Sequence, residues 1–128
     1  MIQSQPQDSQ SLVEQLKPVL ANREAVSEQG SCGIRKRLLT GGEQRQFAVS
    51  QVVIQNARPH FHRSTWELYI VQKGNGVLEL NGVLLEISEG DVVEIPPNVV
   101  HKAIPLPVLT VLVVMSPQNA EDTDIEYL

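Results

Sequence analysis

The sequence predicts an all-β chain, an antiparallel sandwich or barrel, with one short helix ahead of it. Three observations carry that expectation. Short runs rich in Val, Ile and Leu follow one another from residue 34 onward. Gly, Pro and Asn punctuate them at Gly41-Gly42, Gly74-Asn75-Gly76, Asn81-Gly82 and Pro96-Pro97, the spacing of antiparallel strands and their turns. Several runs are apolar at both parities: Trp66, Leu68 and Ile70 alternate with Tyr69 and Val71, and Leu109, Val111 and Val113 with Leu112 and Val114. A strand apolar on both faces is covered on both faces. The barrel interior covers one. The other needs the helix, the opposite sheet or a second subunit, and a homodimer is the economical expectation.

Residues 1–10 are rich in Gln and Ser and read as a disordered N-terminus. Residues 11–30 read as a helix and loop. Ser11 with Glu14 has capping-box spacing, and Leu12, Leu16, Val19 and Leu20 recur at helical spacing, while Pro18 limits or kinks the turn. Strands are then expected at 34–39 and at 47–55. Arg63-Ser64-Thr65 is a turn that must break the alternation, because Glu67 lies an odd number of residues from His62. A strand at 66–72 is closed by Gly74-Asn75-Gly76. Strands at 77–80 and 83–87 flank Asn81-Gly82, a strong hairpin signal. Strands at 90–95, 101–104 and 108–115 complete the set, and the acidic tail 119–128 is expected to cover little of the core.

The 128 residues form one domain, with 41% hydrophobic and 20% charged residues, an ordinary soluble composition. A formal charge of −5 gives no electrostatic reason to bind nucleic acid or an anionic membrane. Arg35-Lys36-Arg37 is the one basic cluster and reads as a solvated strand edge. No run is long enough to span a membrane, and no signal peptide is visible. A single cysteine, Cys32, rules out an internal disulfide and fits a cytoplasmic location. It reads as a buried or loop thiol.

All three histidines fall in one constellation with a carboxylate: His60, His62, Glu67 and His101. Side chains at i and i+2 of a strand share a face, so His60 and His62 can aim at one point. Imidazole nitrogen with carboxylate oxygen suits one divalent ion of Fe, Mn, Ni or Zn better than Ca or Mg. Tyr69 has the parity of Glu67 and reads as a core tyrosine able to turn its hydroxyl to the pocket. Asp91 reads as a turn cap, and Trp66 lies outside the cavity.

The stretch His60-x-His62-x4-Glu67-x6-Gly74 resembles the first motif of the cupin superfamily. Gly90-x5-Pro96-x-Asn98-x2-His101 resembles the second, and the fifteen residues between Gly74 and Gly90 match the short spacing of small bacterial single-domain cupins. The resemblance implies a double-stranded β-helix, or jelly-roll, barrel over residues 34–118. It implies that His60, His62, Glu67 and His101 hold one divalent metal at the barrel mouth, and that Gly74, Gly90 and Pro96 are structural. The chain departs from the pattern at Ile54 and Asn98, where glycine is usual, and at Pro105, where asparagine is usual. Asn98 should keep the turn, since Asn tolerates a left-handed backbone.

Such a site leaves open coordination positions, which separate a catalytic ion from a structural one. Val52, Ile54 and Val71 are expected to line a dry cavity. With Fe(II) the expected activity is a dioxygenase acting on a small bidentate organic substrate such as an enediol or catecholate. The alternatives are a non-catalytic small-molecule-binding module and a sugar-phosphate isomerase or lyase. The isomerase needs cations near the mouth, and only Arg58, Arg63 and Lys102 flank the ligands.

Overall fold

The computed structural model describes residues 24–40, 46–55, 57–117 and 123–128. The expected disordered segment 1–10 and most of the helix expected within 11–30 lie outside them. Nine antiparallel strands make up the described fold: β1 Glu28–Gln29, β2 Gly33–Leu39, β3 Ala48–Ile54, β4 His60–Phe61, β5 Trp66–Leu80, β6 Val83–Ser88, β7 Val92–Ile95, β8 His101–Ser116 and β9 Glu126–Tyr127. They form one curled sheet, a jelly-roll half-barrel, in the order β1-β2-β3-β8-β4-β9, with β5 pairing β6, β7 and β8. Strands β1 and β9 fall where a loop and a loosely attached tail were expected.

The spine is the long ladder between β5 and β8. Trp66 stands opposite Ser116 at one end, and Leu80 opposite His101 at the other. Gly74-Asn75-Gly76 does not close a strand, contrary to the expectation from turn residues. It sits inside β5, where the register shifts between Val71 and Lys73 and again between Gly74 and Gly76. Bulges bend a strand and increase its twist. The glycines are there because β8 comes too close for side chains. A Cβ on Gly74, whose φ is +86°, would lie 1.9 Å from the Val108 carbonyl oxygen, and one on Gly76 would lie 2.5 Å from that of Ile104. Opposite them β8 runs unbroken through Pro105 and Pro107, where two separate strands, 101–104 and 108–115, were expected. Leu106, Pro107 and Val108 have no Cα partner on β5, so the missing N–H of Pro107 leaves no gap in that ladder, while Pro105 stands opposite Gly76.

Alternation sorts the ladder into two faces. Tyr69, Val71, Leu78, Leu109, Val111 and Met115 point inward and are buried, with Ile95 from β7 and Val52 and Ile54 from β3. On the other face Leu68, Ile70, Leu112 and Val114 are half-buried and Trp66 is exposed. The Asn81-Gly82 hairpin forms as the sequence indicates, with both residues at positive φ. Asn98 adopts φ +71°, so asparagine does support the left-handed turn where glycine is usual. The basic cluster is not a solvated edge. Strand β2 lies between β1 and β3, and Arg35 is buried beside Glu28, with Arg35 Nε 3.3 Å from Glu28 Oε1. No helix among the described residues is long and apolar enough to cross a membrane.

Candidate metal centre

The curl of the sheet makes the site. Glu67 is at the start of β5, paired with Met115, and His101 is at the start of β8, paired with Leu80. On a flat strand, thirteen residues would separate their positions by about 43 Å. Instead Glu67 Oε1 lies 3.0 Å from His101 Nε2 and 3.1 Å from His62 Nε2. Strand β4 brings His60 directly opposite His101. Donor atoms of His60, His62 and His101 all lie within 4.8 Å of one another, and all three residues are buried. The 63–65 turn breaks the alternation as the His62–Glu67 spacing requires.

Each imidazole is oriented by the nitrogen that faces away from the cluster. His60 Nδ1 bonds the Arg58 carbonyl at 2.7 Å, His101 Nδ1 the Val99 carbonyl at 2.9 Å, and His62 Nδ1 the Asp124 carbonyl. A carbonyl only accepts, so each Nδ1 carries the proton. In the neutral ring Nε2 then presents a lone pair. His62 Nε2, His101 Nε2 and Glu67 Oε1 are buried, and none is satisfied by a hydrogen bond. Lone pairs facing a carboxylate oxygen at 3.0–3.1 Å repel unless a cation or protons lie between them. The donor set therefore fits a divalent ion. Histidine tethered through its outer nitrogen is the usual arrangement of a metal-binding imidazole.

When protons take that place, they distribute unevenly. Burial would lower the His62 pKa, but the Glu67 carboxylate outweighs it and raises the value above the ordinary 6.5. Burial, reinforced by His101, lowers His60 to about 4. Burial would raise Glu67, yet His101 and His62 draw it down to about 2. An imidazole must shed its proton to bind metal. Affinity should therefore fall by at least about tenfold per pH unit once pH drops below the raised His62 value. His60 takes up its proton only near pH 4, and Glu67 stays ionised throughout. Zn(II) equilibrium dialysis between about pH 5 and about pH 8 measures this slope, and a flat profile would contradict imidazole ligation.

The cavity beside the cluster is bounded by Cys32, Arg35, Val52, Tyr69 and Val113 together with His60, His62 and Glu67, and its volume is about 20 Å³, room for an ion or a water molecule. That is far below the volume of a ligand pocket. Val52 lines it as expected, whereas Ile54 and Val71 are in the core. Tyr69 is buried, with its ring edge-on to His101 at 6.0 Å. Asp91 caps its turn, accepting from Ser88 N at 2.8 Å. The flanking arginines face elsewhere: Arg58 stacks over Tyr127, and Arg63 pairs with Glu126 at 3.0 Å.

Sequence reasoning missed three contributors. Cys32 and Arg35 reach the cavity from β2 and the bend before it; the parity of Arg35 with Gly33 was the available signal. The third is the acidic tail, expected to cover little. Asp124 accepts from Arg63 N at 2.7 Å, Ser64 N at 2.8 Å and Thr65 Oγ1 at 2.8 Å, and β9 pairs with β4. Slight burial would raise the Asp124 carboxyl, and the Arg63 and Ser64 amides outweigh it and hold it below its ordinary value.

Residues 51–106, which span both histidine strands and the ladder between them, match the family model described as Cupin domain. The matched region, 56 of the 128 residues, is similar to a cupin domain. The fold of the chain is similar to a crystal structure of a protein from Planctomyces limnophilus, with TM-score 0.79 and 24% identity over 88% of this chain and 99% of that one. It is also similar to Pac13, a nucleoside dehydratase from Streptomyces, with TM-score 0.72 and 17% identity over 88% of this chain and 91% of that one. An uncharacterized protein of Methanocaldococcus jannaschii is 32% identical over 71 residues, 52% of this chain. The chain spans about half the length of that relative, with 55% of it matched.

Proposed function

We propose that this cupin-like domain is a mononuclear metal site, with His60, His62, Glu67 and His101 as its protein ligands, and that it acts as a small dioxygenase-type enzyme on a compact chelating substrate. The observation that supports the reading is the convergence of three Nδ1-tethered imidazoles, with donor atoms within 4.8 Å of one another and two of them contacting one buried carboxylate oxygen. An Fe(II) ion bound there would supply redox chemistry with dioxygen and a Lewis-acid position for substrate oxygens. The other work falls to the chain. The three carbonyl tethers hold the rings in their binding orientation. Val52 and Val113 limit water, which strengthens every charge interaction inside the cavity. Tyr69 shapes the wall next to His101.

The cavity of about 20 Å³ has room for an ion or a water molecule, so a substrate of any class would meet the ion at the cavity mouth. Neither Arg58 nor Arg63 faces it, and Arg35, the arginine on its wall, is paired with Glu28. The likeness to a nucleoside dehydratase, at 17% identity, extends to the fold alone.

The test is metal analysis of untagged protein, followed by oxygen uptake after Fe(II) loading, with a panel of catecholates and diketones. One ion per chain and substrate-dependent uptake are expected. Stoichiometric metal with no uptake across the panel would overturn the dioxygenase in favour of the non-catalytic binding module.

A further inference from the structure

Cys32 was the least conspicuous residue of the cavity in the sequence, far from both histidine motifs. In the fold its Sγ lies 3.9 Å from His60 Nε2, and both residues line the same cavity. That nitrogen is the inward one, because His60 Nδ1 is committed to the Arg58 carbonyl. The same space receives the buried, unsatisfied His62 Nε2 and Glu67 Oε1. We propose that the Cys32 thiolate is an additional donor to the ion held by the three imidazoles, an inference that rests on the metal reading above.

Distance and chemistry both favour this. A nitrogen and a sulfur bound to one transition-metal ion can be no farther apart than their two bond lengths together, about 4.4 Å for Zn–N and Zn–S. The observed 3.9 Å falls inside that limit. Cys32 stands outside the group of imidazole donors that lie within 4.8 Å of one another, so ligation requires the Ser31-Cys32 bend, which bounds the cavity between Gly30 and Gly33, to move toward the other two rings. As the S–metal bond forms, the thiol proton leaves to solvent, since a coordinating thiol is deprotonated. A soft sulfur donor would favour Zn, Fe or Co over Mn.

Co(II) alone is the probe. Thiolate ligation gives a near-ultraviolet sulfur-to-cobalt charge-transfer band, distinct from the weaker visible bands of nitrogen and oxygen ligands. Cys32 is the sole cysteine of the chain, so any such band reports on it without recourse to a variant. The expected result is one Co(II) per chain with the band present, and loss of the band in Cys32→Ser with Co(II) still bound. Stoichiometric Co(II) without the band would overturn the Cys32 assignment and leave the imidazole site standing. No bound Co(II) at all would overturn the metal reading itself, and Cys32 with it.

Discussion

Replacing His62 with alanine should abolish stoichiometric metal binding. The ring supplies one of three converging Nε2 donors, and it is one of the two that contact Glu67 Oε1. Loss of just a hydrogen-bond partner behind a metal ligand typically costs 10–100-fold in affinity. Loss of the ligand itself should cost on the order of a hundredfold or more. The fold should persist, because the core of Leu78, Leu109 and Val111 is built by β5 and β8 rather than by β4. Stability of the metal-free variant should nevertheless drop, since Glu67 keeps only His101 as a partner for a buried carboxylate. Elemental analysis after dialysis, with circular dichroism as the fold control, checks this. Retained one-to-one metal would refute the ligand assignment.

Much of this site was legible in the sequence because its signals are local or periodic. The His60-x-His62 spacing needs only strand alternation, and Asn81-Gly82 carries its turn in its own backbone preference. The 63–65 break follows from the odd His62–Glu67 interval. The failures come from tertiary structure overriding local preference. Gly74 and Gly76 look like turn residues, yet they are glycines because the Val108 and Ile104 carbonyls occupy the space of a side chain. Pro105 and Pro107 fall between two expected strands, yet β8 runs through both and has no ladder partner just where the second of them falls. Arg35 looked like edge charge because nothing near it in sequence announces that Glu28 forms a strand beside it. The same limit hid Cys32, whose neighbour His60 is 28 residues away.

The acidic tail is the element whose role the sequence concealed most completely, and its removal should have the second large effect. Deleting residues 123–128 should weaken metal binding by about 10–100-fold, the usual cost of losing the group that orients a ligating histidine. The reason lies in how little else holds β4. That strand has two residues, and its partners are His101 on one side and β9 on the other. The tail also closes the adjoining backbone, with Leu128 N donating to the Pro59 carbonyl at 3.2 Å. It supplies the carbonyl that accepts from His62 Nδ1, and the Asp124 carboxylate that gathers the 63–65 turn leading into Glu67. On the other flank of His62 only the bond from Asn98 N to its carbonyl, at 2.6 Å, would remain of these ties. Asp124→Ala separates the two contributions. It removes the carboxylate and leaves the main-chain carbonyl in the chain, so its metal affinity should fall between those of the full-length protein and the deletion. Zn(II) competition titrations on the three proteins give the order, and equal affinity in all three would show that the tail covers the site without orienting it.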